Sequence, residues 1–169
     1  MRLTGRKSFI TGAAKGIGLS VARAFAAEGA AVALADISEE ESKKQSLEIK
    51  ESYGVDAIGV KCDVGDTISV QNAIKETSEA FNGLDTIACM AATLTERLDV
   101  VDLPEDEWNK TLNVNLTGSF LVCKHGIPFL REAGGGSIIL TASQMGQVAW
   151  PGSTAYCTTK GGILSLIHI

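Results

Sequence analysis

The stretch Thr11-Gly-Ala-Ala-Lys-Gly-Ile-Gly18 decides the reading of this chain. It lies between Lys7–Thr11, which reads as a short strand, and Gly16–Glu28, which reads as a helix. Gly12 permits a sharp turn, Gly16 lets the backbone approach a pyrophosphate, and Gly18 lets the helix pack close to the strand. The helix start then presents free N–H groups and a partial positive charge to an anion. An ordinary tight turn has a similar composition. The strand before it and the helix after it favour the phosphate-binding reading.

Outward from this turn the chain alternates strand and helix. Gly29 is a natural left-handed stop for the first helix. Ala31–Asp36 is apolar throughout, as a strand covered on both faces should be. Ser38 and Glu41 have the spacing of a capping box for a helix to about Ser52. Ala57–Cys62 reads as a third strand, and Asp66 as the cap of a helix to about Phe81. Thr86–Met90 is a fourth strand. A looser segment, Thr93–Leu103, precedes a long helix opened by Pro104, where the missing N–H costs nothing. Trp108, Leu112, Leu116 and Phe120 recur four apart on it, a spacing that suits core or a subunit interface. Pro128 is placed to kink it. Ser137–Ala142 is a fifth strand, and Ser153 could cap a last helix. Repeated strand–helix–strand units imply an α/β, Rossmann-type, doubly wound parallel sheet, and one domain over residues 1–169.

Composition narrows the function. The chain has 15 Lys and Arg against 20 Asp and Glu, a net charge of −5. No basic cluster is visible, which argues against a nucleic-acid binder. No run is apolar enough to span a membrane, and no signal peptide is evident, so a cytoplasmic protein is expected. Cys62, Cys89, Cys123 and Cys157 are too scattered in sequence for a zinc-ligand pair, and no metal site is expected. The two histidines, His125 and His168, lack a Ser-His-carboxylate context, so a hydrolase is disfavoured.

Further residues sit where a dinucleotide would need them. Asp36 ends the second strand 18 residues after Gly18, near the spacing of the carboxylate that accepts from the adenosine ribose hydroxyls. Its charge would repel a 2′-phosphate, so NAD is preferred over NADP, although Lys15 in the turn could attract that phosphate. Asp63, ending the third strand, could meet the adenine. Tyr156 and Lys160 are four apart, hence one turn from each other on one helix face. Ser143 follows the fifth strand, and carboxyl ends of parallel strands are where ligands bind. An exposed helix pair and a strand-end serine would look the same taken singly.

Taken in order, Thr11–Gly18, Asp36, Asp63-Val64, Asn113-Val-Asn115-Leu-Thr-Gly118, Ser143 and Tyr156-x-x-x-Lys160 resemble the motif set of the short-chain dehydrogenase/reductase family. The resemblance runs from about Lys7 to Gly162. It implies strand order 3-2-1-4-5, a cofactor site at Gly12, Lys15, Gly16, Ile17, Gly18, Asp36, Asp63, Val64, Ala91, Tyr156 and Lys160, and a catalytic tetrad of Asn115, Ser143, Tyr156 and Lys160. The implied reaction interconverts a secondary alcohol and a ketone on a small molecule. Tyrosine would act as base, lysine as its cation and ribose ligand, serine as substrate donor, and asparagine as holder of a relay water. A phenol, with a pKa of about 10, needs roughly 4 kcal/mol of help to ionise near neutrality. A cation about 4 Å away at an effective dielectric of about 20 supplies about that much. The alternative is a non-catalytic dinucleotide-binding module or an inactive fragment.

Two departures carry expectations of their own. Where the family shows Asn-Asn-Ala-Gly, this chain has Cys89-Met90-Ala91-Ala92. The chain also stops at Ile169, within the tyrosine helix, where relatives continue through two more strands and a substrate-covering loop. The expectation is a C-terminally truncated member, with Leu164–Ile169 unlike the usual continuation. The fifth strand would then be an exposed apolar edge. The full-length protein is expected to be an active homo-oligomer and this piece inactive alone.

Overall fold

Five short strands lie side by side in the order β3-β2-β1-β4-β5, all parallel. The computed structural model describes residues 1–168, so Ile169, the end of the Leu164–Ile169 stretch, lies outside the described residues. The strands are β1 (Lys7–Thr11), β2 (Ala31–Asp36), β3 (Ala57–Lys61), β4 (Thr86–Cys89) and β5 (Ser137–Leu140). The order reverses between β2-β1 and β1-β4, which opens a crevice at the carboxyl ends of the strands.

The pleat assigns alternate residues to the two faces. Phe9, Ala33, Ala35, Val60 and Ile87 face one side, where α3 (Thr67–Phe81) contributes Val70 and Ile74 and α5 (Gly118–Glu132) contributes Leu121 and Val122. Ile10, Val32, Leu34 and Ala88 face the other, packed by Ala22 and Ala26 of α1 (Gly16–Ala27) and Ile49 of α2 (Glu39–Tyr53). Ile10 is in register with both Leu34 and Ala88, so this second core is continuous across three strands. A sheet clothed on both faces explains the unbroken apolar reading of β2.

The region before β5 departs from the single long helix expected of the sequence. α4 (Glu105–Leu112) runs into a π turn, Asn113–Thr117, and only then into α5. One extra residue in the turn rotates the downstream helix by about 100°. The Trp108–Phe120 stripe is therefore broken: Leu116 packs against Gly162 of α6 (Thr154–Leu166), whereas Phe120 is 46% exposed. Pro128 does lie inside α5.

Two expected caps are also absent. Neither Ser38 nor Ser153 makes a side-chain cap bond. The Asp36 carboxylate accepts from the Ser38 N–H instead, at 3.0 Å, while Glu41 accepts from the Gln45 amide. The Asp66 cap is present, its carboxylate accepting from Ser69 N at 2.6 Å. β5 ends at Leu140 and, among the described residues, pairs only with β4; Ile139 is 41% exposed. Among the described residues no helix is long and apolar enough to cross a membrane.

Candidate functional site

The glycine turn is shaped by contacts that exclude side chains. Gly12 has φ +64°, and a Cβ there would lie 2.7 Å from Ala91 Cα. A Cβ on Gly18 would strike the Gly12 carbonyl oxygen, so helix α1 can approach only as glycine. Gly16, at φ +60°, is different: a Cβ there would meet nothing within 4 Å. It faces open space at the start of α1, where Lys15 provides no side-chain cap for the first N–H groups and Ile17 is 75% exposed. Uncapped amides at a helix start, with no side chain between them and solvent, are the cradle that a pyrophosphate fits.

Asp36 is tied to that turn. One carboxylate oxygen accepts from Ala14 N at 3.1 Å and the other from Ser38 N at 3.0 Å. The carboxylate is thus fixed at the rim of the turn with a lone pair left on each oxygen for further donors. Asp63 is exposed, and its carboxylate accepts from Gly65 N at 2.9 Å. Val64 is buried against Gly118, where a Cβ would lie 2.8 Å from its methyl carbon. Thr11, Val64, Cys89, Ala91 and Ser119 line a small depression between these pieces. A larger hollow, about 510 Å³, lies at the opposite end of the sheet beside Lys7, Asp85 and Glu132, away from the strand ends where ligands of such sheets sit.

The Cys89-Met90-Ala91-Ala92 departure is accommodated by hydrogen bonds from elsewhere. Thr11 Oγ1 accepts from both Met90 N and Ala91 N, at 3.1 and 3.2 Å. Asn115, 1% exposed in the π turn, clamps the next backbone step. Its Oδ1 accepts from Thr93 N at 2.7 Å, and its Nδ2 donates to Thr93 O at 3.0 Å and to Thr159 Oγ1 at 3.4 Å. That uses both donors and one of the two lone pairs, leaving one acceptor position on Oδ1. The π turn, a feature frequent at functional sites, is what aims this amide at both the β4 loop and α6.

Tyr156 and Lys160 share one face of α6. Lys160 Nζ lies 5.5 Å from the centroid of the Tyr156 ring. Lys160 is only 4% exposed, and its ammonium donates to Thr141 O at 2.6 Å, just beyond β5. Burial pushes the ammonium below the usual lysine range. Thr141 in turn donates its hydroxyl to Met90 Sδ at 3.0 Å, so a chain of contacts runs from the β4 end to the lysine. Ser143 opens a short turn, Gln144–Gly146, and its hydroxyl accepts from Met145 N at 3.2 Å. The Ser143 O–H itself remains available as a donor. The structure therefore brings Asn115 and Lys160 to the base of one region and sets Tyr156 and Ser143 around it.

The remaining reactive groups fall outside this region or are inert. Burial pushes the Cys62 thiol up to about 12. The pairing of Cys89 with Cys123, together with burial, holds the Cys89 thiol well above the ordinary thiol range, and the same pairing draws Cys123 below it. This contact joins β4 to α5, and the scattered cysteine positions give no sign of it. His125 faces Gln71 at 3.4 Å. No group of three or more metal-ligating side chains occurs among the described residues.

A family model described as enoyl-(acyl carrier protein) reductase matches residues 12–169. The 2,5-dichloro-2,5-cyclohexadiene-1,4-diol dehydrogenase of Sphingobium indicum is 39% identical over 162 residues, covering 96% of this chain and 64% of that protein. The D-threitol dehydrogenase of Mycolicibacterium smegmatis is 35% identical over 168 residues, covering 99% of this chain and 64% of that protein. The crystal structure of an NAD⁺-bound xylitol dehydrogenase superposes with a TM-score of 0.94 at 32% identity, over 98% of this chain and 64% of that one. The chain thus spans about 64% of the length of these relatives.

Proposed function

Because the chain belongs to the short-chain dehydrogenase/reductase family, we propose that it forms the cofactor-binding part of an NAD-dependent dehydrogenase that interconverts a secondary alcohol and a ketone, with Tyr156 as general base. The observation that carries this reading is the buried Lys160 ammonium 5.5 Å from the Tyr156 ring centroid, at the carboxyl end of the sheet.

The glycine turn fits a dinucleotide by the open Gly16 and the uncapped start of α1. When bound, nicotinamide supplies the hydride acceptor for alcohol oxidation, and the donor for the reverse reaction. The chain's own groups have the other tasks. Gly12, Lys15, Gly16, Ile17 and Gly18 hold the pyrophosphate, while Asp36 accepts from the adenosine ribose and disfavours a 2′-phosphate. Asp63, Val64 and Ala91 shape the adenine side and the floor of the crevice. Tyr156 takes the hydroxyl proton as hydride leaves carbon, and the Lys160 charge stabilises the phenolate that does so. Ser143 donates to the substrate oxygen and fixes its orientation. The free lone pair of Asn115 Oδ1 holds a water that passes the proton outward. Lys160 also donates to the nicotinamide ribose.

The polyol and diol dehydrogenases among the relatives make vicinal and cyclic diols the first substrates to assay. Turnover is proposed for the protein at the length of its relatives, as a homo-oligomer. The 169 residues alone are expected to bind cofactor and turn over poorly. Tyr156→Phe tests the mechanism: it should abolish turnover while leaving NAD affinity within about threefold, since one hydroxyl is removed. A Tyr156→Phe protein that oxidises alcohols at an undiminished rate would reject Tyr156 as the base, whereas an unaltered protein at the length of its relatives that binds NAD but oxidises no alcohol would leave the non-catalytic binding-module reading.

A further inference from the structure

The segment joining Ser143 to Tyr156 forms a wall with its own chemistry. Trp150, 51% exposed, carries the Arg97 guanidinium 5.3 Å from its ring centroid. Arg97 belongs to the irregular segment after β4, which is pinned to this wall by a Leu98 N–H bond to Gly152 O at 3.0 Å. The fit is close: a Cβ on Gly152, itself at φ +74°, would lie 3.2 Å from Arg97 Cβ. Gly152 is four residues before Tyr156, so Arg97 sits at the N-terminal end of the tyrosine helix.

The charge environment of Arg97 is unusual. Glu96, Asp99 and Asp102 lie within five residues of it, yet it joins no ion pair among the described residues. The guanidinium carbon lies over the indole instead, 5.3 Å from the ring centroid. The contact with the ring favours this placement of the cation, and a guanidinium with no ion-pair partner is a fork that can bind a carboxylate through two hydrogen bonds. On the same two segments Leu94, Val148 and the Trp150 ring are exposed apolar surface at 72%, 73% and 51%. Exposed apolar side chains on the two segments that carry an unpaired cation complement a short hydrocarbon chain ending in an anion.

We propose that Arg97 is a specificity-determining residue, which binds the carboxylate of a hydroxy-acid substrate whose carbinol lies at Tyr156. This deepens the dehydrogenase reading and rests on it. The hydrocarbon between carbinol and carboxylate runs along Trp150, and its length sets how well both ends are engaged at once.

The test uses a ladder of secondary alcohols, 3-hydroxybutanoate, 4-hydroxypentanoate and 5-hydroxyhexanoate, each beside its uncharged amide. Binding is read from Trp150 emission in a Trp108→Phe protein with NAD⁺ present, and turnover from NADH formation. One acid in the ladder should bind better than its amide by about tenfold or more, the worth of a charge-assisted bond. Arg97→Leu should collapse that ratio, and Arg97→Lys should restore part of it. Equal binding of acids and amides in the unaltered protein, or equal losses for both in Arg97→Leu, would overturn the proposal. Arg97-dependent acid binding without turnover of any alcohol in the protein at the length of its relatives would uphold this site and reject the dehydrogenase reading.

Discussion

Lys160→Met is the most informative single change in this protein. The substitution keeps the length and apolar stem of the side chain and removes one charge. Lys160 Nζ stands 5.5 Å from the Tyr156 ring centroid. At an effective dielectric of about 20, an ammonium and a phenolate oxygen about 4 to 8 Å apart attract each other by roughly 2 to 4 kcal/mol. At about 1.4 kcal/mol per decade, losing that attraction slows a step that depends on the phenolate by about a hundredfold. Because the ammonium is buried, little of the interaction is lost to solvent screening. The assay is kcat/KM for alcohol oxidation as a function of pH in the protein at the length of its relatives. The variant should lose about two decades at neutral pH and regain much of them as alkaline conditions ionise the phenol without help. The unaltered protein should decline at high pH earlier than an ordinary lysine would require, because burial makes Lys160 give up its proton more readily. Two results would rule this role out: a Lys160→Met rate within a few-fold of normal at neutral pH, or a loss that is the same at every pH.

Stability should respond to the same buried charge. Burial lowers the proton affinity of Lys160 in the folded state, so its charge opposes folding below the folded value and that opposition fades as pH rises towards 10.5. Urea midpoints should therefore show the unaltered protein gaining stability relative to Lys160→Met between neutral and alkaline pH. Gly16→Ala should fold at a cost of about 1 kcal/mol, for a left-handed non-glycine residue, yet lose NAD affinity in calorimetry, since its Cβ projects only into the cradle. Gly12→Ala, whose Cβ collides with the Ala91 backbone, should lose stability as well as affinity. Asn115→Ala removes three hydrogen bonds from a buried position and should destabilise the protein by about 3 kcal/mol in urea unfolding.

The parts of this architecture that are local were legible in the sequence. The two-faced parallel sheet arises from short apolar runs separated by helices, while its strand order followed only from the family resemblance, and the glycine turn declares itself because only glycine fits at 12 and 18. The Asp66 cap likewise needed only a residue and its near neighbours. What depends on distant partners was not legible. Asp36 takes the Ser38 N–H, so the capping box that Ser38 and Glu41 advertise never closes. The π turn has no marker in Asn113–Thr117 itself: it exists where the Asn115 amide reaches Thr93 and Thr159 at once. The loss of the family's asparagines after β4 looks damaging in one dimension. In three, Thr11 carries both amides of Met90 and Ala91, and the Met90 thioether accepts from the threonine whose carbonyl holds Lys160. Arg97 and Trp150, 53 positions apart, meet only because Leu98 binds Gly152.

Catalysis as proposed depends on one buried ammonium making the neighbouring phenol a base. With Tyr53 changed to phenylalanine, Tyr156 is the only tyrosine left. Its tyrosinate absorbance can then be followed against pH with NAD⁺ present, with and without Lys160→Met. Tyrosinate should form at distinctly lower pH when Lys160 is present. Superimposable titration curves for the two proteins would show that the ammonium does not tune the phenol.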